Sequence, residues 1–434
     1  MVSHQKVVES LQILLRWIIP RCQLALLLIA LLLSLTAEGP PPASLDTQVT
    51  RILASERFKF VNWEVKALLG KLTHSLITPQ RYMDEMARHD FLLDYLELVA
   101  NIQRSEWEIH RVYTDPEVTD PEAATVEARA YVVKLRQEEE TRQPLAEAIL
   151  EEQTAYILVD EKFGILGQEF PPISTHFTPL PMLLVISPRD HIERTFSLCL
   201  HHGLSVAQRE AIEGQVDTSF DISSLVTGIG GMAAYPAMLL ESSSLNWLAE
   251  VTAHEWTHHY LAPRPLGWNY DAIPEARIIN ETVASIVGQE VGRRMVARYY
   301  PELLPPESEP PPGQTKNKTP PETPAFDFRT EMRETRIRVD ELLAQGRIKE
   351  AEAYMEERRQ EFVAHGYYIR KLNQAYFAFH GAYADKPGAA GADPTGPAVR
   401  ALRAHSLDLH TFVVRASRVT TLAELEMLLE EMKE

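Results

Sequence analysis

The chain of 434 residues is 45% hydrophobic and 24% charged, and carries a formal net charge of −18. That apolar share is enough to bury a sizeable core in one large domain or in two to three smaller ones. The acidity argues against nucleic acid as a partner, since phosphate is held by a basic surface; otherwise charge of this sign serves solubility.

The first informative stretch is "RCQLALLLIALLLSLTAEG", with 16 uncharged residues between Arg21 and Glu38. As a helix that run rises about 24 Å, short of the roughly 30 Å hydrocarbon core, but residues 17–37 span it if Arg21 snorkels. Lys6, Arg16 and Arg21 precede the run and acidic residues follow it, which orients the body outside the cytoplasm. Residues 1–37 therefore read as a single-pass membrane anchor, or alternatively as a signal segment cleaved on secretion. With Leu35 three residues before a cut after Ala37, the small-x-small cleavage pattern is poor.

Residues 38–44, "GPPPAS" included, read as a stalk. From 45 to 165 the apolar residues of "FLLDYLELVANI" and "AYVVKLRQEEETRQPLAEAILEEQTAYILVD" recur at three- and four-residue steps, predicting a helical layer. Strands are expected at "PMLLVIS" and "RTFSLCL", then a short helix at "SVAQREAIEGQVD". "SSLVTGIGGMAAYPAMLLE" reads as one further strand. Pro236 cannot donate to a ladder, which places that strand at a sheet edge.

A helix follows at "LNWLAEVTAHEWTHHYLAPRP", begun by Ser242–Ser244 and stopped by Pro263 and Pro265. A second helix runs from about Pro274 to Tyr299. Residues 301–325 are proline-rich and polar with no apolar period, as in a disordered or extended insertion. Residues 326–434 return to helix.

The chemistry is concentrated in "HEWTH". Residues four apart share a helix face, so His254 and His258 can aim both imidazoles at one point. Glu255 is turned about 100° from His254, close enough to reach a metal-bound water without being a ligand. That division of labour suits a single Zn2+ ion. Cys22 and Cys199 form no C-x-x-C pair, so any metal must be held by His and carboxylate. A chain with 15 histidines carries H-E-x-x-H by chance roughly once in twenty. A third ligand is therefore needed before the motif means anything.

Glu281, in "RIINETVASIVGQEVGRR", is the candidate. Ala284, Ser285, Gly288 and Gly292 follow it on the same side of the second helix, a stripe of small residues that lets two helices approach closely. Glu275 and Glu290 are the substitutes: Glu275 suits the helix dipole in the first turn, and Glu290 lies about 180° around. Glu281 can also be read as a solvated charge above a packing stripe. His259 lies about 100° around from His258, in a supporting or surface position.

"HEWTH" followed by "NETVAS" resembles the gluzincin metallopeptidases, over about residues 225–295. "RKLNQAYFAFHGAYAD" is more loosely similar, over 365–385, to a bacterial family of predicted aminopeptidases. The resemblance implies His254, His258 and Glu281 as zinc ligands and Glu255 as general base. It also implies an α+β, predominantly helical fold: a zincin-like core over 166–300, with a small sheet carrying an edge strand next to the HExxH helix. N- and C-terminal helical layers would flank that core. Several gluzincins place an Asp four residues after the ligand Glu to support a zinc histidine. Here Ser285 stands there, so the support must come from elsewhere. An edge strand beside the zinc helix would pair with an extended peptide through main-chain bonds; a plain core strand is the alternative.

Hydrolysis also needs a donor to the oxyanion, usually Tyr or His. If "YYIRKLNQAYFAFHGAYAD" is one helix, Asn373, Tyr376 and His380 share a face, Asn373 to bind substrate and Tyr376 or His380 to donate. Ile369, Leu372, Phe379 and Tyr383 follow core spacing, which Tyr376 can also join. The expected function is an exported, membrane-anchored zinc peptidase acting on a peptide or protein substrate. The alternative is a membrane-anchored scaffold of the same fold with little or no hydrolysis.

Overall fold

A computed structural model of the chain describes residues 44–75, 78–304, 326–385 and 388–433. The expected anchor and nearly all of the stalk and proline-rich insertion lie outside the described residues. No helix among the described residues is long and apolar enough to cross a membrane. The chain divides into two compact units, residues 1–55 and 56–434. The described part of the first is helix α1 (Leu45–Ile52), capped by the Ser44 hydroxyl, which accepts from the Thr47 amide.

The larger unit is predominantly helical with small sheets. It opens with α2 (Phe60–Ser75), α3 (Glu85–Thr114) and α4 (Val126–Asp160). Asp84 caps α3 by accepting from the Ala87 amide. Leu92, Tyr95, Leu96 and Val99 of α3 meet Ala146, Ile149, Leu150 and Ile157 of α4 in the main core. Each large aliphatic buried there contributes about 1.5–3 kcal/mol before the cost of ordering the chain.

The "HEWTH" segment lies in α6 (Leu245–Leu261), which follows α5 (Val206–Phe220) and is capped by Ser244, whose hydroxyl accepts from the Trp247 amide. Leu248, Ala249, Ala253 and Trp256 of α6 enter the same core, as do Ile279, Val283, Val287 and Val291 of α7 (Pro274–Tyr299). The small-residue stripe on α7 sets the spacing. A Cβ on Gly292 would lie 2.7 Å from the Glu250 amide nitrogen, and one on Gly288 2.7 Å from the Glu250 carbonyl oxygen and 3.2 Å from His254 Cβ. Backbone thus meets backbone where the two helices touch.

The strands form separate small sheets. After a hairpin of β1 (Gly164–Ile165) and β2 (Gln168–Glu169), the antiparallel sheet runs β5 (Phe196–Leu200), β4 (Met182–Ser187), β6 (Ser223–Thr227). The other runs β3 (Thr175–Phe177), β8 (Ala237–Leu239), β7 (Gly231–Met232), with β3 parallel and β7 antiparallel to β8. The single strand expected over "SSLVTGIGGMAAYPAMLLE" is thus three strands in two sheets. Glycines 228, 230 and 231 and Pro236 break the run. The segment after Pro236 is also the middle strand rather than an edge: Pro236 precedes β8, so its missing N–H costs no ladder bond. The edge is β7.

The C-terminal region comprises α8 (Phe328–Ala344), α9 (Ile348–Ala364), α10 (Gln374–His380), α11 (Thr395–Ala404), α12 (Leu409–Ala416) and α13 (Leu422–Glu431). The long helix expected across "YYIRKLNQAYFAFHGAYAD" shrinks to α10. Ala375 and Phe379 of α10 pack on Val185 of β4 and Leu225 of β6, and this seats the turn that follows α10.

Candidate metal centre

His254, His258 and Glu281 converge: one donor atom from each lies within 4.8 Å of the others. The Nε2 atoms of His254 and His258 are 3.1 Å apart, and Glu281 Oε2 is 3.5 Å from the first and 3.7 Å from the second. A point equidistant from three atoms so spaced lies about 2.0 Å from each, the length of a zinc–nitrogen or zinc–oxygen bond. Glu281 Oε2 is moreover buried with no hydrogen-bond partner. A buried carboxylate oxygen left so is costly, and a cation between it and the two imidazoles satisfies all three.

Each donor is held from behind. Tyr270, in the loop between α6 and α7, donates its hydroxyl to Glu281 Oε1, leaving Oε2 for the centre. Arg194 and Arg277 lie over the Tyr270 ring, each 5.5 Å from its centroid. His258 Nδ1 is 2.7 Å from Asn280 Oδ1. The amide oxygen can only accept, so the ring donates there and keeps its Nε2 lone pair for the centre. The support missing at Ser285 is therefore supplied, for His258, by the Asn of the N-E pair.

The two imidazoles are tuned in opposite directions: burial works against charge on His254, but its contact with Glu281 and the charges of Glu255, Glu281 and Glu250 prevail and raise its pKa. Burial lowers the His258 pKa to about 4, which leaves the imidazole neutral at physiological pH and able to serve as a donor. Burial works against the charge on Glu281, but His258, His254 and the Tyr270 hydroxyl prevail and lower its pKa to about 2. Glu255 is 5% exposed; burial chiefly, with Glu281 adding to it, raises its pKa to about 7. That carboxyl is poised to exchange a proton near neutrality. It lies against β7, where a Cβ on Gly231 would collide with Glu255 Oε1.

His254 and Glu255 open into a cleft of about 270 Å³, also lined by Gly228–Gly231, Trp247, Glu250, Ser285, Phe379 and Tyr383. The Tyr383 ring stacks toward His254, centroids 6.4 Å apart. It is 38% exposed and forms a wall shared by this cleft and the cavity that adjoins it. Burial of its phenol, with the charges of Glu281 and Glu255 adding, raises its pKa well above the usual value, so it stays a protonated donor.

The other sequence candidates are placed elsewhere. Tyr376 and His380, their rings 4.2 Å apart, line an adjoining cavity with Phe328, Gln289 and Asp385 rather than the cleft at His254 and Glu255. Asn373 does not offer its amide to a substrate. It caps α10: Oδ1 accepts from the Tyr376 amide at 2.9 Å, and Nδ2 donates to the Ser224 carbonyl at 2.9 Å. The helical offsets that grouped Asn373 with Tyr376 and His380 fail because α10 starts only at Gln374. Glu290 pairs with Arg403 at 2.7 Å, away from the centre. His259 Nε2 meets the Ala234 carbonyl at 2.8 Å, tying α6 to the β7–β8 turn. Tyr270 and Tyr383 are the residues sequence reasoning missed. Tyr383 was visible only as a core-spaced aromatic, and Tyr270 stands in a loop where no periodicity marks it.

No family model, curated protein or solved structure matches this chain.

Proposed function

We propose that the chain is an exported, membrane-anchored, zinc-dependent peptidase with a zincin-like core of gluzincin type. His254, His258 and Glu281 hold the single ion. The observation that carries this reading is the buried, unsatisfied Glu281 Oε2 facing two imidazole Nε2 atoms. A zinc ion held by this donor set would supply Lewis acidity to the attacking water and to the scissile carbonyl.

The chain's own groups do the remainder. Glu255 accepts one proton from the water as its oxygen bonds to the carbonyl carbon. It returns that proton to the amide nitrogen as the C–N bond breaks, releasing a carboxylic acid and an amine. Tyr383 donates a hydrogen bond to the carbonyl oxygen as negative charge develops there. The outer edge of β7, at Gly231, offers main-chain groups to an extended peptide lying across Glu255. The apolar run up to Ala37 and the cations before it support the anchor and an external body.

Elemental analysis and cleavage of a quenched-fluorescent peptide library by the full chain test the reading. About one zinc per chain is expected, lost in His258→Ala and kept in Glu255→Gln, with cleavage abolished in both. Absence of zinc after reconstitution, or cleavage surviving Glu255→Gln, overturns it. Zinc retained by the wild type with no peptide cleaved points to the scaffold instead.

A further inference from the structure

Helix α2 is apolar on two sides: Phe60 and Trp63 pack inward on Leu180, Ala234 and Met238, Ala67 is buried, and a second aliphatic stripe faces out. The inner side is fastened by polar groups as well: Lys71 Nζ reaches Glu147 Oε2 at 2.7 Å and Glu151 Oε1 at 2.8 Å, and Trp63 Nε1 donates to Thr178 Oγ1 at 3.3 Å. Its outer side is aliphatic. Val61, Val65 and Leu69 are 69%, 51% and 59% exposed, and Leu68 joins them at 38%. Offsets of four, seven and eight from Val61 place these residues on one stripe. A helix beside water is expected to carry one apolar stripe, turned inward, and a polar outer face.

Two further observations identify what covers the stripe. Exposed Arg57, Lys59 and Lys66 flank it on a chain whose net charge is −18. Only residues 38–59 separate the apolar run from α2, a reach of about 60 Å at most when α1 is helical. We propose that the outer face of α2 (Val61, Val65, Leu68 and Leu69) lies in the headgroup–acyl boundary of the bilayer that holds the N-terminal segment. The bases would lie among anionic headgroups. A second copy of the chain fits less well, because it would bring the same cationic rim against itself. This inference rests on the membrane-tether part of the function above and not on the metal centre.

The test uses the full chain, with Cys22→Ala and Cys199→Ser, in vesicles of phosphatidylcholine and phosphatidylglycerol. An environment-sensitive fluorophore is placed at Leu69→Cys, at Val61→Cys as a second position, and at Glu357→Cys as a control on α9. Both α2 labels are expected to shift to the blue and to be quenched at least twofold by nitroxide-bearing lipid, with the Glu357→Cys label unchanged. α2 labels left unquenched on vesicles that the protein floats with overturn this inference alone. The same result with concentration-dependent oxidative cross-linking through Leu69→Cys assigns the stripe to a second copy and overturns it equally. Protein that does not float with vesicles overturns the tether and this inference together, and leaves the zinc measurements standing.

Discussion

Asn280 fixes the tautomer of His258: the ring's Nδ1 lies 2.7 Å from the amide oxygen across the α6–α7 seam, and its Nε2 is left for Glu281 and His254. Such supporting partners are worth about 10–100-fold in metal affinity. Asn280→Ala should weaken zinc binding by that factor in competition with a chromophoric chelator. Asn280→Asp keeps an acceptor and should lose less. Equal affinities in wild type and Asn280→Ala would remove this role from the residue.

Tyr383→Phe deletes one hydroxyl from the cleft wall and leaves the three ligands untouched. If that hydroxyl serves the oxyanion, kcat falls about 10²–10³-fold, with zinc content and KM little changed. Tyr376→Phe and His380→Gln alter the adjoining cavity and should leave kcat within a few-fold. The reverse ranking would return the donor to α10.

Gly231→Ala tests how Glu255 is seated. The added methyl would occupy the place of Glu255 Oε1, so the carboxylate must move or the strand must retreat. Turnover should fall 10-fold or more, since about an ångström of misplacement costs on that order. Zinc should stay bound, because Gly231 touches none of the three ligands. A turnover equal to wild type would show that Glu255 has freedom to spare.

The cluster under α2 predicts an acid-sensitive element of stability. Burial opposes ionisation of Glu147, but Lys71 and His176 prevail and bring its pKa from 4.5 to about 2. A depressed folded pKa gives stability that is present above the unfolded value and lost as pH falls through the folded one. The wild type should therefore lose stability between pH 4.5 and about 2, and Glu147→Gln should lack that share of the loss in urea titrations. Lys71→Met removes the cation shared by Glu147 and Glu151, which keep their bonds from Phe177, His176 and Thr175, and should cost less than the about 3–5 kcal/mol of a fully stranded buried charge at neutral pH. Adding Glu147→Gln to it should restore part of the deficit.

What the sequence made legible follows from geometry that is local in the chain. His254 and His258 were readable because four residues make one helical turn, and Glu281 because a stripe of small residues announces close helix contact. Asn280 sat beside Glu281 in plain view, but its direction depends on how α7 is rotated against α6, which no spacing within α7 reveals. The β region was misread where one apolar run served two sheets: Leu225 and Met238 look alike in sequence yet face different partners. Tyr383 is hidden by an apolar spacing that continues as if the segment around it were one helix. A seven-residue α10 and the turn after it carry the ring to the cleft instead.

The donors to the centre and the two side chains that bond them, Tyr270 and Asn280, all fall between His254 and Glu281 on one helical hairpin, whereas Tyr383 arrives about a hundred residues later. Capture of an ion therefore needs closure of only a short loop, whose entropic cost grows slowly with length. On the proposed reading, the donor set would be complete on the hairpin before the later helices have docked. With a zinc ion so held, the wall bearing Tyr383 would be added to a centre already formed, which separates metal binding from turnover along the chain.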